Sequence, residues 1–181
     1  MKVYHLTTPI DRKLLRELRV GDKVLLSGTV YTARDAAHKR MCEAIANGES
    51  LPFDPREQII FYAGPAPAPP GFAIGSVGPT TSYRMDAYTP QMLEQGIQAM
   101  IGKGMRNDEV KSACQKYGVV YFAAAGGVAA LLSGCITEAE IIAYEDLGAE
   151  SIRKLQIKDM PLWVAVDCGG NDIYEQKDAC K

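Results

Sequence analysis

The sequence has few of the residues from which most metal sites are built. It contains two histidines, His5 and His38, and five cysteines, and no two cysteines have the C-x-x-C spacing of a zinc site. The odd number of cysteines and their wide separation also argue against a framework of disulfide bonds. We therefore expect this chain to hold no metal ion, and we expect its cysteines to be reduced small hydrophobic side chains.

Long hydrophobic runs and an excess of one charge are also missing. No apolar stretch approaches the roughly 18 residues that a membrane-spanning helix needs, so we expect no membrane partner. The 20 Lys and Arg residues are balanced by 22 Asp and Glu residues and form no basic cluster, so we expect no nucleic-acid partner. No cationic segment followed by an apolar one opens the sequence, so we expect no signal peptide and a cytoplasmic protein.

The rest of the composition is that of an ordinary globular protein, with 47% hydrophobic and 23% charged residues. Strand-like and helix-like segments alternate along the 181 residues. The predicted helices are 11–18, 34–47, 89–95, 108–116 and 128–132. The predicted strands are 3–6, 23–32, 58–63, 72–77, 98–101, 119–124, 140–144, 152–157 and 162–166. This order predicts one α/β domain, residues 1–181, with a mixed sheet flanked by helices.

The most informative segment is G-P-T-T-S-Y-R-M-D at 78–86, which follows the predicted strand 72–77. It opens with a turn dipeptide, continues with three hydroxyl side chains and ends with an arginine and a carboxylate. Hydroxyl groups, free backbone N–H groups and a guanidinium at the end of a strand suit a carboxylate or a phosphate. We therefore predict a small-anion site formed by Thr80, Thr81 and Arg84.

A second candidate is the start of the helix in T-A-R-D-A-A-H-K-R at 32–40. Helical spacing places Arg34 and His38 at the edge of the buried face of this helix. One explanation is a buried salt bridge of the arginine with Asp35 or Asp86. The other is a pocket at the junction of strand and helix, in which Arg34 binds a carboxylate. We favour the pocket for the arginine, whereas for the histidine the two interpretations weigh equally.

Two glycine-containing turns follow later strands. Lys103 lies between two glycines, which let the backbone approach a ligand and leave the lysine uncrowded, although a plain turn lysine is an equal alternative. Gly126-Gly127 precedes a predicted helix but lacks the G-x-G-x-x-G spacing of a phosphate-binding loop. We interpret that pair mainly as close packing of helix and strand.

The candidate side chains therefore follow three different strands. If the strand ends converge, they supply three cations and two hydroxyl groups, which suits a small dianion. These side chains are Arg34, Thr80, Thr81, Arg84 and Lys103. No pair of ionisable groups is arranged for general acid–base catalysis by itself, so we expect only part of an active site.

The sequence resembles a known family at five places, in order and over nearly the whole chain. The matching segments are 32–40, Y-A-G-P at 62–65, 78–86, G-K-G at 102–104 and D-C-G-G-N-D-I-Y at 167–174. They are similar to the β-subunit of class I, iron–sulfur-dependent fumarate hydratase. The β-subunit of tartrate dehydratase shares the G-P-T-T-S-x-R-M core, but its other segments fit less well.

The resemblance implies a swivelling β/β/α fold, equivalent to the C-terminal catalytic domain of one-chain members. It implies a partner α-subunit, in an expected α2β2 assembly, whose three cysteines bind a [4Fe–4S] cluster. It also implies a small dicarboxylate substrate, with fumarate hydrated reversibly to (S)-malate. Dehydration of L-tartrate is the alternative activity.

The resemblance also implies roles for individual residues. Thr80 would help to transfer a proton at the substrate carbon, and Arg34, Arg84 and Lys103 would bind the carboxylates. Thr81 is expected to contact the substrate beside them, and His38, inside a matched motif, is expected to assist catalysis. A non-catalytic module that binds small dicarboxylates is the alternative from another class of function. We expect the chain alone to have no hydratase activity.

Overall fold

The computed structural model describes residues 2–125 and 129–175, and within these ranges it confirms the predicted α/β fold with a mixed sheet flanked by helices. The strands are β1 (Val3–Thr7), β2 (Lys23–Thr32), β3 (Ile59–Phe61), β4 (Ala99–Gly102), β5 (Val120–Ala123), β6 (Ile136–Ala143) and β7 (Ile152–Val166). The α-helices are α1 (Arg12–Glu17), α2 (Asp35–Ala46), α3 (Thr89–Glu94), α4 (Asp108–Tyr117) and α5 (Ala129–Ser133). Two 3-10 helices span Ser82–Met85 and Glu145–Glu150.

The sheet closes on itself through the long strand β7. The strand order is β1-β2-β3-β4-β5-β7-β6, and β7 also pairs with β2, so β2, β3, β4, β5 and β7 form a ring. Strands β2 to β5 are parallel neighbours, whereas β7 is antiparallel to both β2 and β5. Trp163 of β7 shows the closure directly, because it lies opposite Lys23 of β2 and Ala123 of β5.

The central strands are buried on both faces, which is why they read as nearly continuous apolar runs in the sequence. In β3, Ile59 and Phe61 belong to one core that includes residues from every strand of the ring. Ile60 belongs to a second core, in which α2, α3 and α4 pack against the sheet. The carboxyl ends of β2, β3 and β4 share one edge of the sheet, and this is where parallel α/β sheets commonly bind ligands.

Most predicted elements form, with ends that differ by a few residues, but two strand predictions are wrong. Residues 72–77 form no strand; they fold against the preceding proline-rich loop, where the Ala66 N–H donates to the Ser76 carbonyl oxygen at 2.9 Å. The predicted strands 152–157 and 162–166 are one strand, β7. A positive φ of 49° at Asp159 and a shift of register opposite β2 let β7 continue past Pro161.

Two further expectations concern residues at or near the gap in the described ranges. The predicted helix at 128–132 is found as α5, although its first predicted residue lies outside the described residues. Gly126-Gly127 also lies outside them. Among the helices of the described ranges, none has the length and apolar character that a crossing of the membrane requires.

Candidate active site

Backbone pairing brings Thr80, Thr81 and Lys103 together at the carboxyl edge of β3 and β4. Thr81 forms an isolated parallel bridge with Lys103, and the Thr80 N–H donates a 2.7 Å hydrogen bond to the Tyr62 carbonyl oxygen. The Ser82 N–H donates to the Lys103 carbonyl oxygen at 3.0 Å. The segment that contains the two threonines therefore continues the sheet between the ends of these strands.

Ser82 holds this arrangement together, and sequence analysis assigned it no role. Its side chain is buried, and its Oγ accepts a 3.0 Å hydrogen bond from the Lys103 N–H. The Tyr121 hydroxyl lies 2.9 Å from the same Oγ and 3.0 Å from the Gly104 carbonyl oxygen. A Cβ on Gly102 would collide with Ser82 Oγ. Gly102 thus makes room for the serine, whereas the sequence interpretation had assigned that room to a ligand.

A buried ion pair lies beneath the two segments that carry these side chains. Arg106 Nε donates to Asp86 Oδ1 at 2.6 Å, and the two side chains are 0% and 8% exposed. The Asn107 N–H donates to the other Asp86 oxygen at 2.9 Å. The guanidinium also lies against the rings of Tyr62 and Tyr121, with its Cζ 5.3 and 4.9 Å from their centroids. This ion pair ties the end of segment 78–86 to the chain just after β4.

Arg34 follows β2 and lies at the N-terminus of α2, with 23% of its side chain exposed. Its Nη2 is 3.7 Å from Glu150 Oε1, and its Nε is 3.9 Å from Asp35 Oδ2. Neither contact is a hydrogen bond. A Cβ on Gly64 would lie 2.9 Å from Arg34 Nη1, so this glycine leaves room for the guanidinium. Of the two salt-bridge partners considered, Asp35 lies beside the arginine and Asp86 pairs elsewhere.

Arg84 projects from the 3-10 helix Ser82–Met85 and reaches the same carboxylate. Its Nε donates to Asp35 Oδ1 at 2.9 Å, and its side chain is 42% exposed. Asp35 therefore lies between the two arginines that were predicted from separate segments. The Lys103 side chain is exposed and has no ion-pair partner within residues 2–125 and 129–175. The predicted cations thus share one edge of the sheet.

His38 is buried behind Arg34. Its Nδ1 lies 2.8 Å from the Arg34 carbonyl oxygen, so Nδ1 carries the hydrogen. Its ring lies edge-on to the Tyr62 ring, with 5.4 Å between the ring centroids. Its Nε2 is buried without a hydrogen-bond partner in the described part of the chain. Burial lowers the pKa of His38 to about 4. The histidine is therefore neutral at neutral pH, and its catalytic role stays a prediction.

This pKa predicts that the protein loses stability in acidic solution. The ordinary pKa of 6.5 applies to the unfolded chain, whereas the folded chain takes up the proton only near pH 4. The contribution of neutral His38 to the free energy of unfolding is therefore fully present above pH 6.5, and it is lost as the pH falls from 6.5 to 4. We expect this group to lower the free energy of unfolding by up to about 3 kcal/mol across that range. Urea unfolding at several pH values should show it.

The matched control for the pH dependence is His38→Gln, which removes the titrating group. Carboxylates titrate in the same range in both proteins, so only the difference between the two profiles belongs to His38. Equal pH dependence of the two proteins would contradict the prediction.

Comparison with known proteins identifies the family. The family model described as "Fumarase C-terminus" matches residues 1–177. The chain belongs to this family. An aerobic class I fumarate hydratase of Escherichia coli (strain K12) is 42% identical over 164 residues. These residues are 90% of this chain and 30% of that protein, so the chain spans under a third of this relative's length.

Two similar proteins are matched over most of their own length. A putative L(+)-tartrate dehydratase subunit beta of Methanocaldococcus jannaschii is 39% identical, over 92% of this chain and 89% of that protein. The L(+)-tartrate dehydratase subunit beta of E. coli (strain K12) is 35% identical, over 94% of this chain and 86% of that protein. The resemblance found in the sequence motifs is thereby confirmed at the level of the family.

The described cysteines do not fit the ligand set of an iron–sulfur cluster. Within residues 2–125 and 129–175, no three His, Cys, Asp or Glu side chains come together as a possible metal site. Cys114 is buried and Cys42, Cys135 and Cys168 are half-buried free thiols. Burial raises the pKa of the Cys114 thiol to about 12, which keeps it protonated. Cys180 lies outside the described residues.

Sequence analysis missed the residues that support the site from distant parts of the chain. Glu150 Oε2 accepts a 2.9 Å hydrogen bond from the Ala36 N–H in the first turn of α2, across 114 residues of sequence. A carboxylate at a helix N-terminus is favourable, but no local motif marks this one. Arg106 likewise reads as a loop arginine in the sequence. Only the fold shows that its side chain is buried.

Proposed function

We propose that this chain is the β-subunit of a two-subunit iron–sulfur hydro-lyase that reversibly hydrates fumarate to (S)-malate. The observation that carries the proposal is the position of Arg34, Thr80, Arg84 and Lys103 at the carboxyl edge of the neighbouring parallel strands β2, β3 and β4. Similarity to a class I fumarate hydratase over 90% of the chain supports fumarate as the substrate. The β-subunit of L-tartrate dehydratase is the second candidate, favoured by relatives matched over most of their length.

The three cations suit a substrate with two carboxylates. Arg84 uses its Nε for Asp35, and its two Nη groups, which have no acceptor in the described part of the chain, can bind both oxygens of one carboxylate. Arg34 offers a second guanidinium, and Lys103 adds an exposed point charge. Removing a proton from the carbon beside a carboxylate adds negative charge to that group. Fixed cations around it therefore lower the barrier.

Thr80 is the proposed proton-handling group. Its hydroxyl has far too high an ordinary pKa to act alone as a base, so it needs an activating neighbour. No side chain in the described part of the chain is hydrogen-bonded to that hydroxyl, although the Thr80 backbone is held firmly by Tyr62. We propose that the partner subunit supplies the activating group, and that Thr81 contacts the substrate beside it.

We also propose that the [4Fe–4S] cluster is held by cysteines of an α-subunit in an α2β2 assembly. Large apolar side chains beside the cationic residues support a partner at this edge. Tyr83 precedes Arg84 and is 65% exposed, and Met105 follows Lys103 by two residues and is 60% exposed. Exposed apolar groups around a charged site are typical of an interface.

Activity assays with and without the partner test this proposal. We expect the chain alone to be inactive on fumarate, (S)-malate and L-tartrate, and its complex with a cysteine-bearing α-subunit to hydrate fumarate. Activity of the chain alone without iron would contradict the subunit assignment. A complex that acts on L-tartrate but not on fumarate would support the second candidate. Binding of dicarboxylates without turnover would support a non-catalytic binding module.

Arg34→Met tests carboxylate binding within the active complex. A charge-assisted hydrogen bond to a carboxylate is worth about 1.5–3 kcal/mol, so we expect KM to rise about 10- to 100-fold with a smaller change in kcat. The matched control is Arg40→Met on the same helix. The Arg40 guanidinium pairs with Asp146 at 2.8–2.9 Å outside the site. The KM and kcat of the Arg40→Met complex should therefore stay close to wild type. Equal KM values for the two variants would argue against carboxylate binding by Arg34.

A further inference from the structure

We propose that Asp35 is a positioning residue that orients both arginines toward the substrate carboxylates. This inference rests on the proposed function of the same site. Asp35 is the first residue of α2, and its carboxylate lies between Arg84 and Arg34. None of the roles implied by the family resemblance includes it.

The contact with Arg84 leaves one edge of that guanidinium free. Arg84 Nε donates to Asp35 Oδ1 at 2.9 Å, while neither Nη group has a hydrogen-bond acceptor within residues 2–125 and 129–175. A guanidinium anchored through Nε presents its two Nη groups in the spacing that matches the two oxygens of a carboxylate. The Arg84 side chain is 42% exposed, so without the anchor it would sample many rotamers.

The contact with Arg34 is incomplete in a way that points to a ligand. Arg34 Nε and Asp35 Oδ2 are both buried without a hydrogen-bond partner in the described part of the chain, although they lie only 3.9 Å apart. Buried polar groups are normally paired, so an unpaired donor 3.9 Å from an unpaired acceptor indicates a contact that closes when Arg34 shifts to bind a further group. A shift of about 1 Å would turn this contact into a hydrogen bond. Asp35 can therefore hold Arg34 as that arginine engages a carboxylate.

Glu150 is a second carboxylate close to the Arg34 guanidinium. Glu150 Oε1 lies 3.7 Å from Arg34 Nη2, while its Oε2 accepts from the Ala36 N–H at 2.9 Å. Arg34 thus lies near two carboxylates, and its guanidinium N–H groups, which have no hydrogen-bond acceptor within residues 2–125 and 129–175, remain for a substrate. Asp35 differs from Glu150 because it alone contacts both arginines.

A purely structural role for Asp35 makes a different prediction. An aspartate in the first turn of a helix stabilises that helix through the macrodipole, so its loss would lower thermal stability without affecting substrate binding. A positioning role instead predicts weaker binding of dicarboxylates by a protein that is still folded. KM, kcat and inhibitor affinity therefore distinguish the two roles.

The test is Asp35→Asn in the complex with the α-subunit, because the amide keeps the shape and removes the charge. We expect KM to rise about 10-fold and kcat to change less than about threefold, and the inhibition constant for succinate to rise with KM. Asp146→Asn is the matched control. It breaks the ion pair of Asp146 with Arg40, which lies on α2 like Asp35 but outside the site. Kinetics of Asp35→Asn equal to those of Asp146→Asn would overturn the proposal.

Coupling to Arg84 provides a second readout. If Asp35 acts through both arginines, then Asp35→Asn should raise KM by a smaller factor in an Arg84→Met background, where only the part that acts through Arg34 remains, than in the wild type. An equal factor in both backgrounds would overturn the proposal.

If the wild-type complex proves inactive, the proposed function fails, and calorimetric titration with succinate decides on Asp35 separately. Weaker succinate binding by Asp35→Asn than by Asp146→Asn supports positioning, whereas equal binding, or none to the wild type, overturns it.

Discussion

Thr80→Ala is expected to lower kcat of the assembled enzyme by about 10²- to 10⁴-fold, which is the usual contribution of a positioned proton-transfer group. The substitution removes the hydroxyl and keeps the backbone N–H that donates to the Tyr62 carbonyl oxygen at 2.7 Å. The edge of the sheet should therefore keep its structure, and assembly with the α-subunit should be unchanged. Steady-state kinetics on fumarate and (S)-malate, with size-exclusion chromatography of the complex, measure both quantities.

Two neighbouring substitutions serve as controls for the Thr80 variant. Thr80→Ser keeps a hydroxyl at the same position and should retain most of the activity. Thr81→Ala removes the adjacent hydroxyl, and because we propose substrate contact for Thr81, it should change KM more than kcat. Turnover of Thr80→Ala close to wild type would rule out proton transfer by this residue.

Asp86→Ala is expected to lower the free energy of unfolding by about 3–5 kcal/mol, because it leaves a buried guanidinium without its counter-charge. Arg106 is fully buried and donates to Asp86 at 2.6 Å, and Asp86 also accepts from the Asn107 N–H at 2.9 Å. The pair joins the segments that carry Thr80 and Lys103. Activity should therefore fall together with stability.

An exposed ion pair on the same chain is the matched control for this prediction. Asp54 pairs with Arg56 at 2.6 Å, but the two side chains are 56% and 78% exposed, so Asp54→Ala should leave stability nearly unchanged. Urea unfolding of both variants compares a buried pair with an exposed one. A similar small loss for the two variants would show that the buried pair contributes little.

The predictions of helices and strands succeeded where the spacing of apolar residues is regular. Strand β2 was predicted with its observed ends, and helix α2 was predicted to within a residue at each end, because burial of one face imposes a period on the sequence. The prediction failed at 72–77, where the Ser76 backbone pairs with Ala66 of the proline-rich loop instead of with a strand. It also failed to join the two halves of β7, because Pro161 looks like a strand end unless the neighbouring strand is known.

The candidate residues of the site were found from sequence because their chemistry is local. Hydroxyl groups beside an arginine in 78–86, and an arginine at the start of α2, indicate an anion site without knowledge of the fold. Their supporting partners were missed or remained ambiguous. Glu150 is 114 residues from Ala36, to which it bonds, and nothing around Arg106 indicates that its side chain is buried.

The sequence by itself determined the α/β class and the family, and it named the candidate side chains for a small dianion. These properties depend on residue types and short-range spacing, which are present in the chain before it folds. Only the tertiary structure decided that Asp35 lies between Arg34 and Arg84, that Asp86 is committed to Arg106, and that β7 closes the sheet. These arrangements join segments that are far apart in the sequence, so they arise only when the strands pair into the sheet.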